Sequence, residues 1–198
     1  MKKSLMDKSR RHCFPAMAAT ILLGLVSGSA SADGPLPIEH AQSNLAPSAG
    51  KEAKSAWDAE WLPLPAPRLR GPMSLEETLR LRRSVRDFTT DSLTLAEAAQ
   101  LLWAAQGVTD ARGFRTAPSA GALYPLEVYL VVGRVEGVVP GVYHYGPSGH
   151  RWVCLREGAL QGELSQAALG QQSILRAPAV MVIGAVYERP AVKFGREG

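Results

Sequence analysis

Two apolar runs constrain this chain most. Leu126-Glu127-Val128-Tyr129-Leu130-Val131-Val132 and Ala179-Val180-Met181-Val182-Ile183-Gly184-Ala185-Val186 are dense in β-branched residues, and Glu127 is their single charge. Such runs predict strands, the first largely buried in its C-terminal half and the second buried. A hairpin is expected between them. Gly141 to Tyr145 and Arg151 to Leu155 flank the turn Gly146-Pro147-Ser148-Gly149.

Helices are signalled on both sides of the first run. Ser74-Leu75-Glu76-Glu77 and Thr94-Leu95-Ala96-Glu97 have the spacing of capping boxes, in which hydroxyl and carboxylate satisfy end amides reciprocally. The first predicts a helix from Leu75 to Arg83. In the second, Leu95, Ala98, Ala99, Leu102 and Ala105 recur at helical spacing and Gly107 is a stop signal. Residues 108–125 read as loop, and 159–170 as a further helix. Helices and strands mix without an internal repeat, which gives an α+β or α/β class.

The first 32 residues read as an address. Lys2, Lys3, Lys8, Arg10 and Arg11 face one acid, Asp7; an apolar run from Ala16 to Val26 follows, and Ala30-Ser31-Ala32 closes the segment. That order is a secretory signal peptide, with an uncleaved anchor as the other reading. Ser9-Arg10-Arg11-His12-Cys13-Phe14 also resembles a twin-arginine export signal. The expected location is therefore exported, periplasmic or secreted, with the membrane met only through the signal.

Charge follows the same division. The whole chain has a formal charge of +4, but residues 1–32 hold five of its 22 Lys and Arg and one of its 18 Asp and Glu, leaving 17 of each sign. A balanced remainder gives no general case for nucleic-acid binding. Residues 33–73 are rich in Pro, Ala and Ser and read as a linker or a surface arm, with Trp57 and Trp61 as its large anchors. Two cysteines, Cys13 and Cys154, make neither a disulfide framework nor a four-ligand zinc site, and no metal site is expected.

Two segments could carry chemistry. Arg82-Arg83-Ser84-Val85-Arg86 puts three guanidiniums and a hydroxyl within five residues. It can hold a phosphate by charge-assisted bonds, or it is a solvated basic helix end. Thr116-Ala117-Pro118-Ser119-Ala120-Gly121-Ala122-Leu123-Tyr124-Pro125 is made of small residues that let backbone approach a flat ligand. Its other reading is a rigid turn before a strand.

Taken in order, Arg-Arg-Ser-x-Arg, then Leu-x-x-Leu-Leu-Trp-Ala-Ala-Gln-Gly, then Arg-x-x-Pro-Ser-Ala-Gly-Ala-Leu-Tyr-Pro-x-Glu resemble the FMN-dependent nitroreductase family. The likeness covers about residues 74–198, and the chain resembles the branch of SagB-type dehydrogenases that includes thiazole- and oxazole-forming peptide maturases. It implies an α+β fold, a mixed sheet with surrounding helices, and an intertwined homodimer with FMN at the interface. Arg82, Arg83, Ser84 and Arg86 then match the segment for the flavin phosphate and ribityl chain. Pro118, Ser119, Ala120, Gly121 and Leu123 match the segment along the ring. The implied activity passes electrons through flavin to a small-molecule or peptide-derived substrate, with NAD(P)H as candidate donor.

Two departures qualify the likeness. Family members continue beyond the segment ending at Arg196, so the domain is expected to be C-terminally incomplete. A truncated or degenerate flavin-binding domain without activity is the alternative. The azole-forming members carry Lys-Tyr where this chain reads Lys193-Phe194. Lys193 is the candidate catalytic base, or else a surface lysine; Phe194 has no hydroxyl with which to move a proton. His144 and His150 lack a third ligand at metal spacing and read as surface or aromatic-packed residues. Tyr143, Tyr145 and Trp152 read as cross-strand packing, Cys154 as a buried apolar group, and Tyr124 as pocket wall or packing.

Overall fold

The computed structural model describes residues 19–23 and 60–195. The export segment and the proximal arm thus lie outside the described residues, except Ala19–Leu23. One six-stranded sheet organises the described chain. Its strands are β1 (Ala19–Leu23), β2 (Leu62–Pro63), β3 (Leu126–Val132), β4 (Gly141–Gly146), β5 (Arg151–Glu157) and β6 (Ala179–Ala185). They lie in the order β1-β6-β3-β4-β5-β2. β3 is antiparallel to both β6 and β4, while β1 joins β6 in parallel, so the sheet is mixed and the class is α+β.

Side chains alternate across β3 and divide the core in two. Val128, Leu130 and Val132 pack with Ala98, Ala99 and Leu102 of α2 (Leu95–Gln106). Val131 faces the other way, with Val180, Leu160 and Ile174. The helices on that side are α3 (Gln161–Ala167) and α4 (Gln172–Arg176). Both faces are covered at the C-terminal half of β3, which is why its sequence turns continuously apolar there. Glu127 and Tyr129 share a face with Val131 but lie outside its cluster.

α2 begins with the full capping box: the Thr94 hydroxyl accepts from Glu97 N, and the Glu97 carboxylate accepts from Thr94 N at 2.9 Å. At its end Gly107 N donates to the Trp103 carbonyl (2.7 Å), and a Cβ at 107 would run into the Trp103 indole. Close approach, rather than a special dihedral, requires glycine there.

Three helical expectations are corrected. α1 spans Leu75–Leu81, and Arg82 turns out of helical space at φ −54°, ψ 127°. α1 buries no residue, so no packing prolongs it to Arg83. The helix read over 159–170 ends at Ala167, where Leu169 and Gly170 take positive φ and Gly170 N returns to the Ser165 carbonyl at 2.8 Å. α4 follows separately. Finally, α5 (Glu188–Phe194) stands where no helix was predicted, with Pro190 in its first turn, where a missing N–H costs little.

The distal arm lies on the hairpin. Leu62 and Pro63 pair with β5, Leu64 is buried, and Leu64 N donates to the His150 carbonyl at 3.0 Å. Tyr143 and Trp152 stack at 4.4 Å between centroids, and burial pushes the Tyr143 hydroxyl up to about 12. Cys154 is half-buried beside this pair, and burial raises its thiol.

Candidate functional site

The loop between α2 and β3 is fastened at both ends. Thr116 N donates to the Gly107 carbonyl (2.9 Å), and the Thr116 hydroxyl donates to the Trp103 carbonyl (3.2 Å). Arg115 donates to the buried Gln106 side chain at 3.2 Å and lies 4.3 Å over the Tyr124 ring. At the far end Val186 N donates to the Pro125 carbonyl at 2.8 Å, tying the loop to the exit of β6.

Between these anchors the backbone takes an unusual path. Gly121, Ala122 and Tyr124 have φ of 61°, 55° and 43°. Side chains rarely adopt this region, so the loop holds strain that its anchors must offset. The Ser119 hydroxyl accepts from Tyr124 N at 2.9 Å and keeps its own proton to donate. Pro118, Ala120, Gly121 and Ala122 are exposed, and Leu123 is half-buried. The result is a rigid ledge whose outer edge carries nothing larger than a methyl group beside Pro118.

α5 brings Lys193 to this ledge. An ideal Cβ at Gly121 would sit 2.9 Å from Lys193 Nζ and 3.3 Å from its Cδ. The lysine chain thus crosses directly over Gly121, 72 positions back in sequence.

Behind the ledge lies a charged group made by Arg189 and Glu127, which His144, expected as a surface or aromatic-packed residue, joins. Arg189 Nη1 donates to the Tyr124 carbonyl at 2.7 Å, and Arg189 Nη2 pairs with Glu127 Oε1. The other Glu127 oxygen accepts from His144 Nε2 at 2.7 Å. The His144 ring stacks on Tyr129, 4.9 Å between centroids and 28° between planes. Burial acts to raise the Glu127 carboxyl, but His144 and Arg189 outweigh it, and its pKa falls below the ordinary 4.5. Glu127 was legible only as the last letter of Tyr-Pro-x-Glu. Arg189 could have been found as the residue one helical turn before Lys193, had α5 been foreseen.

Arg82, Arg83, Ser84 and Arg86 are all exposed. Arg83 Nη1 donates to the Arg80 and Arg82 carbonyls, at 3.0 and 2.7 Å. No ion pair found among the described residues uses Arg82, Arg83 or Arg86, and no hydrogen bond found there joins them to residues 118–123. Exposed guanidiniums with open donors suit a phosphate, and a peptide edge of small residues, crossed at Gly121 only by the flexible Lys193 chain, suits a flat ring. The residues present fit the cofactor that the resemblance implies.

Comparison with known proteins bears on the fold and the family. Residues 79–197 match the model of the nitroreductase family. A Methanocaldococcus jannaschii protein named as a nitroreductase is 48% identical over 126 residues, covering 64% of each chain. A solved structure of a protein from Ralstonia eutropha, also named as a nitroreductase, superposes with a TM-score of 0.57 at 32% identity, over 69% of this chain and 62% of its own. Another from Anabaena variabilis shares the fold, with a TM-score of 0.59 at 24% identity over 73% and 31%. The chain spans about two thirds or less of the length of each. Over residues 79–197, which build β3 to β6, the ledge and α5, it belongs to the nitroreductase family.

Proposed function

We propose that this chain is an exported, FMN-dependent oxidoreductase, SagB-like, acting on a small-molecule or peptide-derived substrate. The observation that carries this reading is Lys193 lying across Gly121 on a ledge of small residues, in a chain of this family.

Bound FMN would supply reversible two-electron chemistry. The chain's own residues provide position and charge. Arg82, Arg83 and Arg86, with the Ser84 hydroxyl, hold the phosphate. Pro118, Ser119, Ala120, Gly121 and Leu123 would hold the ring along their edge. Lys193 stands over that edge, where its ammonium would offer positive charge beside the bound group and could donate a proton to a substrate. Phe194, the neighbouring residue, adds only an apolar wall. A reduction needing one cation is therefore favoured over an azoline oxidation needing a Lys-Tyr pair. NAD(P)H is the proposed donor.

A homodimer is proposed on a separate observation. Leu75 and Leu79 on α1 and Val192 on α5 are 69, 63 and 90% exposed, apolar side chains that a second copy would cover.

The test is spectroscopic. The purified chain, given FMN and passed through a desalting column, should keep visible flavin absorbance that NAD(P)H or dithionite bleaches and a nitroarene or quinone restores. Retained flavin without that cycle would favour the non-catalytic flavin-binding alternative. No retained flavin would overturn both.

A further inference from the structure

Seven residues of helix that bury no side chain do not hold a position unaided. α5 is such a helix, yet Lys193 is set closely over Gly121. Something outside α5 must fix it. Its N-terminal approach is tied by Val186 N to the Pro125 carbonyl, which leaves rotation about that point open. Arg189 removes the rotation. Its guanidinium reaches two fixed acceptors at once, the Tyr124 carbonyl on the ledge and the Glu127 carboxylate on β3.

Glu127 is itself held on two sides. It sits in the sheet opposite Gly184 of β6, and His144 on β4 holds its second oxygen. His144 is held in turn against Tyr129. Arg189 and Lys193 are four residues apart, so they project from the same side of α5 at successive turns. Wherever Arg189 is gripped, Lys193 arrives one turn further along, over Gly121.

We propose that Arg189, gripped by Glu127, is the positioning residue that places Lys193 over the Gly121 ledge. What Lys193 does there rests on the flavin reading; the clamp itself does not. A lysine at 189 would keep the charge but could not serve both acceptors with a rigid fork. A glutamine would lose the charge as well.

The test reads proximity in the flavin-free, full-length chain. Ala120→Cys installs a thiol beside Gly121, and a short amine-to-thiol crosslinker joins it to Lys193, the only lysine among the described residues. Mass spectrometry separates this product from those of Cys13 and Cys154. Arg189→Gln and Glu127→Gln should each lower the 120–193 yield about tenfold or more, a factor in keeping with one lost charge-assisted bond. Arg189→Lys should fall between. Val131→Ala, which loosens the core beyond the clamp, should leave the yield unchanged at a similar loss of melting temperature.

The proposal is overturned if the parent Ala120→Cys chain gives no 120–193 product. It is also overturned if folded Arg189→Gln and Glu127→Gln crosslink as well as the parent, or if Val131→Ala lowers the yield as much as they do. Should the glutamine variants not fold, a parental yield from Arg189→Lys overturns it equally. A wild-type chain that does not bind FMN would refute the flavin function and leave the crosslink to decide the clamp.

Discussion

Lys193 crosses Gly121 so closely that a single methyl group at 121 would meet its ammonium, 2.9 Å from Nζ. The contact has two consequences for Gly121→Ala. The backbone φ of 61° is unfavourable to alanine by about 1 kcal/mol. Nζ is the far end of a flexible chain, so the lysine swings aside and the ledge stays where it is. Urea denaturation should show a loss of about 1 kcal/mol, and FMN titration should show weaker binding. A variant as stable and as tight as wild type would contradict both statements.

Arg82, Arg83 and Arg86 give the opposite pattern. They are exposed and carry no ion pair among the described residues, so replacing all three by Gln should barely change the melting temperature. If they hold the flavin phosphate, FMN binding should weaken by at least about tenfold per lost bidentate contact. Riboflavin, which lacks the phosphate, should bind wild type and variant alike. Equal weakening of both ligands would place the phosphate elsewhere.

How far the sequence could be read depended on whether a residue's partner was near it. β3 was legible to the residue because alternation and burial are written into seven consecutive positions. α2 was legible because Thr94 and Glu97 state its start and Gly107 its end. α5 was not, because Pro190 and the flanking Gly195 argue locally against a helix, and what holds it is Arg189 gripping a carbonyl 65 residues away. The ledge could be named from its small residues and Lys193 from its resemblance. Their meeting could not, since it depends on the β3–β6 register that sets Glu127 opposite Gly184. Ser74 shows the limit of a motif: its hydroxyl accepts from Glu77 N as expected, yet α1 stops two residues early because it packs on nothing.

Glu127 makes stability depend on acid in a fixed direction. Its folded pKa lies below its ordinary value, so the stabilisation is complete above 4.5 and is lost as pH falls through the lowered folded value. Glu127→Gln cannot titrate. The difference in urea midpoint between wild type and Glu127→Gln should therefore be largest at neutral pH and should shrink steadily on acidification to about pH 3. A difference that grows as pH falls would mean that Glu127 is protonated when folded, and that the His144 and Arg189 contacts do not hold it ionised.

His150 links the arm to the hairpin core, and Tyr145 is the residue that fixes how. The His150 Nε2 lies 2.9 Å from the Pro65 carbonyl, which can only accept, so Nε2 carries the proton. In the neutral imidazole Nδ1 is then the acceptor, to which the Tyr145 hydroxyl donates at 2.9 Å. Tyr145 is 1% exposed, and burial raises its hydroxyl to about 12, which keeps that proton in place across the working range. Tyr145→Phe removes the donor and leaves the ring nitrogen of the half-buried His150 without it, at a cost of about 1 kcal/mol. The same change frees His150 to turn from Pro65, while the backbone bond from Leu64 N to the His150 carbonyl survives. Trypsin should then cut faster at Arg68, whose N–H is held by the Gln100 side chain at 2.7 Å, with the rest of the domain still protected. If the melting temperature falls but cleavage at Arg68 does not accelerate, Tyr145 supports the hairpin alone and the arm is held by Leu62, Pro63 and Leu64.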